Sequence, residues 1–288
     1  MFCLLLLVVK TPNDMISYAA ITVLGVAGNN IVNVVYSRNF VKFRLRGLNL
    51  ARHMKSIFML VMVNLAIEIY SLVGTSLLGI LSTKESVAFY SYADKTNKIL
   101  LQITNTITME LVPRIAYYYG EGRKTEFNQL LTKALKLLVL IAVPLIICIQ
   151  FTADFLYPQV FGNAYIRSAV VEKILCFILL TAPVGYLLGS RVMLVSGNER
   201  LMVICVSIGA IVNTVSNYFL IQAYGEIGAA IASVTSELVV AAIYVNFGRR
   251  VFSLFALKRN FINIGLAAVA MVLCSAAVSS LFGFSAPG

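Results

Sequence analysis

Long apolar runs broken by short polar connections dominate the chain. Windows of about 19 residues predict helices at 16–36, 56–82, 88–117, 133–155, 171–196, 201–222, 226–247 and 261–283, after a short apolar stump at 1–9. Each full run reaches the roughly 20 residues that a helix needs to cross the hydrocarbon of a bilayer. The alternating strands of about ten residues that mark an outer-membrane barrel are absent from the pattern. The pattern therefore predicts an all-α integral membrane protein of about eight transmembrane helices. The run at 88–117 is long enough to project beyond the membrane at one end. Met1, Phe2 and Cys3 open the stump with no basic stretch and no small-residue cleavage site, so it reads as the end of a helix and not as a secretory signal.

Composition agrees: 60% of the 288 residues are hydrophobic and 12% charged, whereas a soluble domain carries about 25% charged residues. A water-soluble fold is excluded. The formal net charge of +11 raises the question of nucleic acid, but the basic residues lie scattered through connections, not on one face of a domain. No nucleic-acid partner is expected.

The basic residues report orientation instead, because Lys and Arg accumulate on the cytoplasmic side. Arg38, Lys42, Arg44, Arg46, Arg52 and Lys55 crowd the first connection, and the second has Lys84 offset by Glu85. Arg114, Arg123, Lys124 and Lys133 make the third basic, and the fourth is nearly neutral. Arg200, and later Arg249, Arg250, Lys258 and Arg259, continue the alternation, so eight helices fit a topology that begins and ends outside. The first connection also interleaves Phe40, Phe43, Leu45, Leu48 and Leu50 with its charges. It suits either a surface helix on anionic headgroups or a solvated topogenic loop. It divides the chain into residues 1–36, a basic linker at 37–55 and a bundle at 56–288.

Soluble-enzyme chemistry finds little support. Cys3, Cys148, Cys176, Cys205 and Cys274 all lie in apolar stretches without a CxxC pair, and read as packing residues. His53 is the lone histidine and sits among basic residues, which removes histidine metal sites and leaves no histidine-based triad to build. No GxxxxGK[ST] occurs, so a P-loop is absent. An enzyme is not expected, and neither is a metal or an organic cofactor.

Several segments, in order, resemble the polysaccharide flippases of the multidrug/oligosaccharidyl-lipid/polysaccharide superfamily, whose fold is MATE-like. They are Asn33 to Arg38 ahead of the linker, Ala88 to Lys95 opening a helix, Leu111 to Ala116 followed by Gly120-Glu121-Gly122, Phe161 to Tyr165, and Tyr224 to Ala232. Small residues in the last segment would let two helices approach closely. The resemblance implies a transporter that carries a polyprenyl-pyrophosphate-linked oligosaccharide from the cytoplasmic to the outer leaflet of the bacterial inner membrane. It also implies membrane lipid as a partner, with polysaccharide polymerase and glycosyltransferases acting beside it. Members have two helical bundles totalling twelve to fourteen helices. This chain resembles the second bundle preceded by the end of the first, an expectation of incompleteness at the N-terminus.

Ionisable groups near the bilayer centre are costly and mark function. Glu68 and Glu237 sit mid-helix and are the candidates for coupling to H⁺ or Na⁺, the alternative being neutral carboxyls bonded to neighbouring helices. Lys95, Lys98, Gln102 and Asn105 form one polar stripe on the third full helix, suited to the phosphates and sugar hydroxyls of the implied substrate. Lys95 can instead snorkel to the outer surface, with Asp94 to neutralise it. Arg191 can bind substrate or snorkel to the cytoplasm. Glu110 and Arg114 are expected to pair, and Asn213 and Asn217 to bond between helices or bind sugar. Two other readings stay open: a drug or cation antiporter of the same superfamily, favoured by an acidic cavity, and a half-protein that does not transport alone. A membrane glycosyltransferase is disfavoured by the short outer connections.

Overall fold

In the computed structural model the described residues are 15–38 and 50–248, and every regular element among them is helical. The stump at 1–9, most of the basic linker and the helix expected at 261–283 lie outside the described residues. The chain divides into two compact units, Met1–Met54 and Lys55–Gly288. In the first, α1 (Met15–Ser37) is an apolar helix closed by the Ser37 hydroxyl, which donates 2.9 Å to the Val34 carbonyl.

The helix α2 (Leu50–Leu81) leads into the second unit. A tight turn at Ser82 and Thr83 follows, and Thr83 caps α3 (Lys84–Gly120) by accepting from the Ser86 amide. At the other end of α3 the chain reverses through Gly122, whose φ of +67° suits glycine. Next comes α4 (Lys124–Phe161), which carries Pro144 and Pro158 within it.

The helix expected at 171–196 is broken into pieces and starts earlier. A 3₁₀ turn at Asn163–Tyr165 leads into α5 (Ile166–Leu175), and after Cys176 and Phe177 the chain bends by 47° into α6 (Ile178–Tyr186). A π-helical turn, Leu187–Met193, completes the segment. Such turns insert an extra residue per turn and re-aim the side chains that follow.

The expected pair at 201–222 and 226–247 forms one folded element, α7 (Glu199–Gly248), which turns back at Gly225 with φ 56° and ψ −128°. Its limbs run antiparallel. Asn213 Nδ2 donates 3.0 Å to Ser236 Oγ, and a Cβ on Gly209 would lie 2.3 Å from Val240 Cγ2. Near the bend, a Cβ on Gly228 would lie 2.0 Å from the Leu220 carbonyl oxygen, a contact that only glycine permits.

Among the described residues, Lys124–Phe161 and Glu199–Phe247 are long and apolar enough to cross a membrane, and the bent pair Asn163–Leu175 with Ile178–Met193 makes a third such segment. The polar residues of α3 set it apart from these. The two largest of four apolar clusters lie at the heart of the second unit. One gathers Ile115, Leu131, Leu138, Leu188, Met193 and Met202, and the other Leu78, Ala93, Val171, Leu175, Ile221 and Ala230. Many large apolar side chains stay exposed on the outer faces of the helices, including Ile80, Ile99, Ile211 and Phe219, as a lipid-facing surface requires.

Candidate functional site

A cavity of about 300 Å³ lies inside the second unit, walled by α2, α3, α6 and α7. Three helices deliver charge to it: Glu68 from α2, Asp94 and Lys98 from α3, and Glu237 from α7. Their common depth follows from the chain itself. Glu68 stands 13 residues before Leu81, Lys98 14 residues after Lys84, and Glu237 12 residues after Gly225. At 1.5 Å per residue these are all about 18–21 Å from their turns.

The polar wall is organised by direct bonds. Lys98 Nζ lies 2.8 Å from Asp94 Oδ2, one turn apart on α3. Tyr90 and Ser233 share a 3.0 Å hydrogen bond that ties α3 to α7 at the cavity edge. Asn97 donates its Nδ2 to the Leu175 carbonyl at 3.0 Å, where α5 is about to end, and its Oδ1 is buried without a hydrogen-bond partner. Gly74 brings α2 close, since a Cβ there would lie 3.6 Å from Asn217 Nδ2. Glu237 also borders a smaller neighbouring cavity of about 50 Å³, walled by Val63, Val206, Val240 and Tyr244.

Of the expected stripe, Lys98 alone lines this cavity. At about 100° per residue, Tyr90, Asp94, Asn97, Lys98 and Leu101 occupy one arc of α3, and Lys95 and Gln102 fall about 100° or more from its centre. Lys95 is exposed and rests 5.8 Å above the Tyr92 ring, while Tyr92 packs on Phe161 and Tyr165 at 4.9 and 4.5 Å. The carboxylate expected to neutralise Lys95 is engaged by Lys98. Gln102 is exposed. Asn105 keeps to the arc one turn further along, with its Oδ1 buried and unpartnered.

Arg191 lies in the π-helical turn, half-buried, with its Nε enclosed and without a hydrogen-bond partner, and it does not line the cavity. The extra residue of that turn moves it off the straight-helix position that its sequence spacing assumed. Glu110 and Arg114 are both exposed and form no ion pair; an exposed pair four apart has little energy to hold it together. Asn213 and Asn217 are buried and bonded within α7, with Asn217 Nδ2 donating 2.9 Å to Asn213 Oδ1. Asn213 joins the two limbs of α7, and Asn217 Oδ1 is buried without a hydrogen-bond partner.

The balance of charge differs from what the lysine stripe led one to expect. The cavity holds three carboxylates, Glu68, Asp94 and Glu237, against the single Lys98, so this wall is acidic. Glu172 and Glu226 went unnoticed in the sequence. Glu226, buried just past the bend of α7, accepts 2.7 Å from Ser86 Oγ and stands 3.4 Å from Arg167 Nε. Its position beside Gly225 marks it as a connection residue, which hid its burial. Among the described residues no cluster of His, Cys, Asp and Glu could hold a metal ion.

The comparisons with known proteins fit this frame. The MatE family model matches residues 60–219, more than half of the chain. The chain is 21% identical to the probable low-salt glycan biosynthesis flippase Agl15 of Haloferax volcanii over 75% of its own length and 44% of that protein's. It is 26% identical to the capsular polysaccharide biosynthesis protein CapF of Staphylococcus aureus over 51% of its own length and 37% of CapF. It thus spans less than half the length of these relatives. Among solved structures it is similar to the lipid II flippase MurJ in an inward closed conformation, with a TM-score of 0.65 at 15% identity, covering 89% of this chain and 54% of MurJ. It is also similar to an outward-facing multidrug resistance MATE transporter, with a TM-score of 0.57 at 16% identity, covering 79% and 53%. These two likenesses concern the fold. The chain belongs to the MatE family.

Proposed function

We propose that this chain serves in a flippase that moves a polyprenyl-pyrophosphate-linked oligosaccharide from the cytoplasmic to the outer leaflet of a bacterial cytoplasmic membrane. The single observation that carries the reading is the convergence of Glu68, Asp94, Lys98 and Glu237 on one cavity of the helical bundle. The names of the glycan and capsule relatives support the substrate class. Polysaccharide polymerase and glycosyltransferases are the partners that such a role calls for.

The cavity suggests a division of labour. Its three carboxylates take a proton or a sodium ion, as acids lining the cavities of gradient-driven transporters do. Neutralising Asp94 in this way weakens its hold on Lys98, which then meets a phosphate of the headgroup through a charge-assisted bond. Coupling therefore exchanges one partner of Lys98 for another, with no covalent step. The amide of Asn97 and the hydroxyls of Tyr90 and Ser233 offer hydrogen bonds to sugar.

The test is reconstitution in liposomes with a fluorescent lipid-linked oligosaccharide in one leaflet, following the arrival of headgroup in the other. Lys98→Ala should lower the initial rate at least about tenfold, the effect of losing one charged hydrogen bond. An unchanged rate removes Lys98 from the site. The acidic balance of the cavity also favours a second reading, a cation antiporter. Movement of a quaternary-ammonium dye, with no movement of lipid headgroup, would establish that reading instead.

A further inference from the structure

Where α5 gives way to α6 the backbone exchanges partners. The Phe177 amide donates to the Ile174 carbonyl at 3.4 Å and the Leu179 amide to the Cys176 carbonyl at 3.0 Å. Both bonds reach three residues back, whereas a continuous helix would use the carbonyls of Lys173 and Leu175, four back. Side chains of the neighbouring helices take those two carbonyls instead. Gln150 Nε2, from α4, donates 2.6 Å to the Lys173 carbonyl, to which Cys176 Sγ also donates at 3.1 Å. Asn97 Nδ2, from α3, donates 3.0 Å to the Leu175 carbonyl. Further along, Pro183 has no N–H to offer the Leu179 carbonyl, so α6 begins with few backbone bonds.

A buried carbonyl without a donor is costly, so the 47° bend stands while Gln150 and Asn97 hold it. A straight helix satisfies the same carbonyls from Phe177 and Leu179 and frees both side-chain amides. Gln150 then keeps Cys176 Sγ, now at 3.3 Å, and Asn97, which lines the cavity, can turn its amide to an acceptor there. The two forms make nearly equal numbers of hydrogen bonds, as a bistable element requires.

We propose that Gln150 is a positioning residue for transport: it holds the break after Leu175, and the break straightens when an oxygen of the cavity's ligand draws Asn97 away from the Leu175 carbonyl. Gln150 itself stands outside the cavity lining, whereas α6 contributes Ile178, Ala182 and Tyr186 to it, so straightening moves that wall. Asn97 bonds the ligand in one form and Leu175 in the other, which is the differential interaction that lets a ligand shift such an equilibrium. For the identity of the ligand the inference rests on the flippase reading, whose phosphate and sugar oxygens are acceptors of this kind. The exchange of carbonyl partners at the bend does not depend on that reading.

The experiment places spin labels at Ile166 and Leu194, both exposed and outside the cavity lining, in the full chain in lipid nanodiscs. The labels are attached through ketone side chains, which leaves the cysteines untouched. At 1.5 Å per residue, straightening the 47° bend lengthens their separation by about 3 Å. Fluorescent lipid-linked oligosaccharide should lengthen it in the wild type, and Gln150→Met, which keeps the bulk and loses the donor, should lengthen it without ligand. In the flipping assay Gln150→Met should lower the maximal rate about fivefold, the worth of one hydrogen bond. It should also lower the half-saturating concentration, because the bound form is populated in advance; a merely structural residue would not do that. Phe177→Pro keeps the observed φ of −64° and removes the N–H that the straight form needs, so ligand should leave its label separation short. The proposal is overturned if ligand leaves the wild-type separation unchanged, if Gln150→Met keeps that separation, or if its half-saturating concentration does not fall. Should Gln150→Met fail to fold, Phe177→Pro decides, and lengthening with ligand there overturns the proposal equally. If the wild type moves no headgroup, the flippase reading fails, and the ligand-free separation in Gln150→Met still decides the hinge.

Discussion

Lys98 Nζ sits 2.8 Å from Asp94 Oδ2, on the wall of a cavity that also receives Glu68 and Glu237. The pair is half open, with the lysine side chain 54% exposed and the aspartate 27%, so it contributes little to stability. In the proposed mechanism the pair acts by opening. Asp94→Asn should therefore leave the unfolding temperature nearly unchanged and alter the ion dependence of transport. A large loss of stability with normal ion dependence would make the pair structural.

A different carboxylate should behave in the opposite way. Glu226 is buried, with Ser86 Oγ at 2.7 Å and Arg167 at 3.4 Å. Glu226→Ala leaves Ser86 without its acceptor at a buried junction of α3, α5 and α7, and should cost about 1–3 kcal/mol. Arg167→Ala should cost less, because the arginine side chain is 66% exposed. Denaturation in detergent of the two variants, side by side, tests the order.

The bend of α7 depends on glycine. A Cβ at Gly228 would meet the Leu220 carbonyl at 2.0 Å, a backbone atom that cannot step aside. Gly228→Ala should prevent the two limbs from closing, and folded protein should fall sharply in membrane extracts. Gly225→Ala, at φ 56° and ψ −128°, should be milder, about 1–3 kcal/mol of backbone strain. If both variants accumulate normally, the hairpin geometry is wrong.

Gly189 and Tyr244 make a second close approach, between the π-helical turn and the second limb of α7. A Cβ on Gly189 would lie 2.5 Å from Tyr244 Cζ. Gly189→Ala should destabilise by about 1–3 kcal/mol through overpacking, and adding Tyr244→Ala should relieve the clash while opening a void. A double-mutant cycle on unfolding temperature would show this coupling; simple additivity would refute it.

Glycan specificity offers a last check on the cavity. Tyr90 and Ser233 bond one another at 3.0 Å beside Asp94 and Asn97. Tyr90→Phe removes one hydroxyl and should change the apparent affinity for the headgroup by less than about tenfold, leaving the maximal rate intact. A collapse of the maximal rate would place Tyr90 in the conformational step instead.

Much of this molecule was legible in the order of its residues. Hydrophobicity within a window is a local property, so the helices from 16–36 to 226–247 could be found without any contact being known. Scarce charge at mid-helix is local too, and it singled out Glu68, Glu237 and Lys98, which three different helices then bring to one level. The turn back at Gly225 could be read from small residues and a polar connection.

What the sequence could not settle depends on rotation and on partners. Lys95, Lys98 and Gln102 share a stripe, but which arc of α3 faces the cavity was decided by how Ala93 and Tyr90 pack against α5 and α7. The break after Leu175 and the π-helical turn at Leu187–Met193 re-aim Arg191, and no residue there announces an extra residue per turn. Glu172 went unnoticed because it stands at the start of the helix expected from 171. α5 starts earlier, at Ile166, and Glu172 lies within it at 1% exposure. Apolar periodicity fixes that a segment is a helix and how deep its residues lie; only packing between helices fixes which way they face.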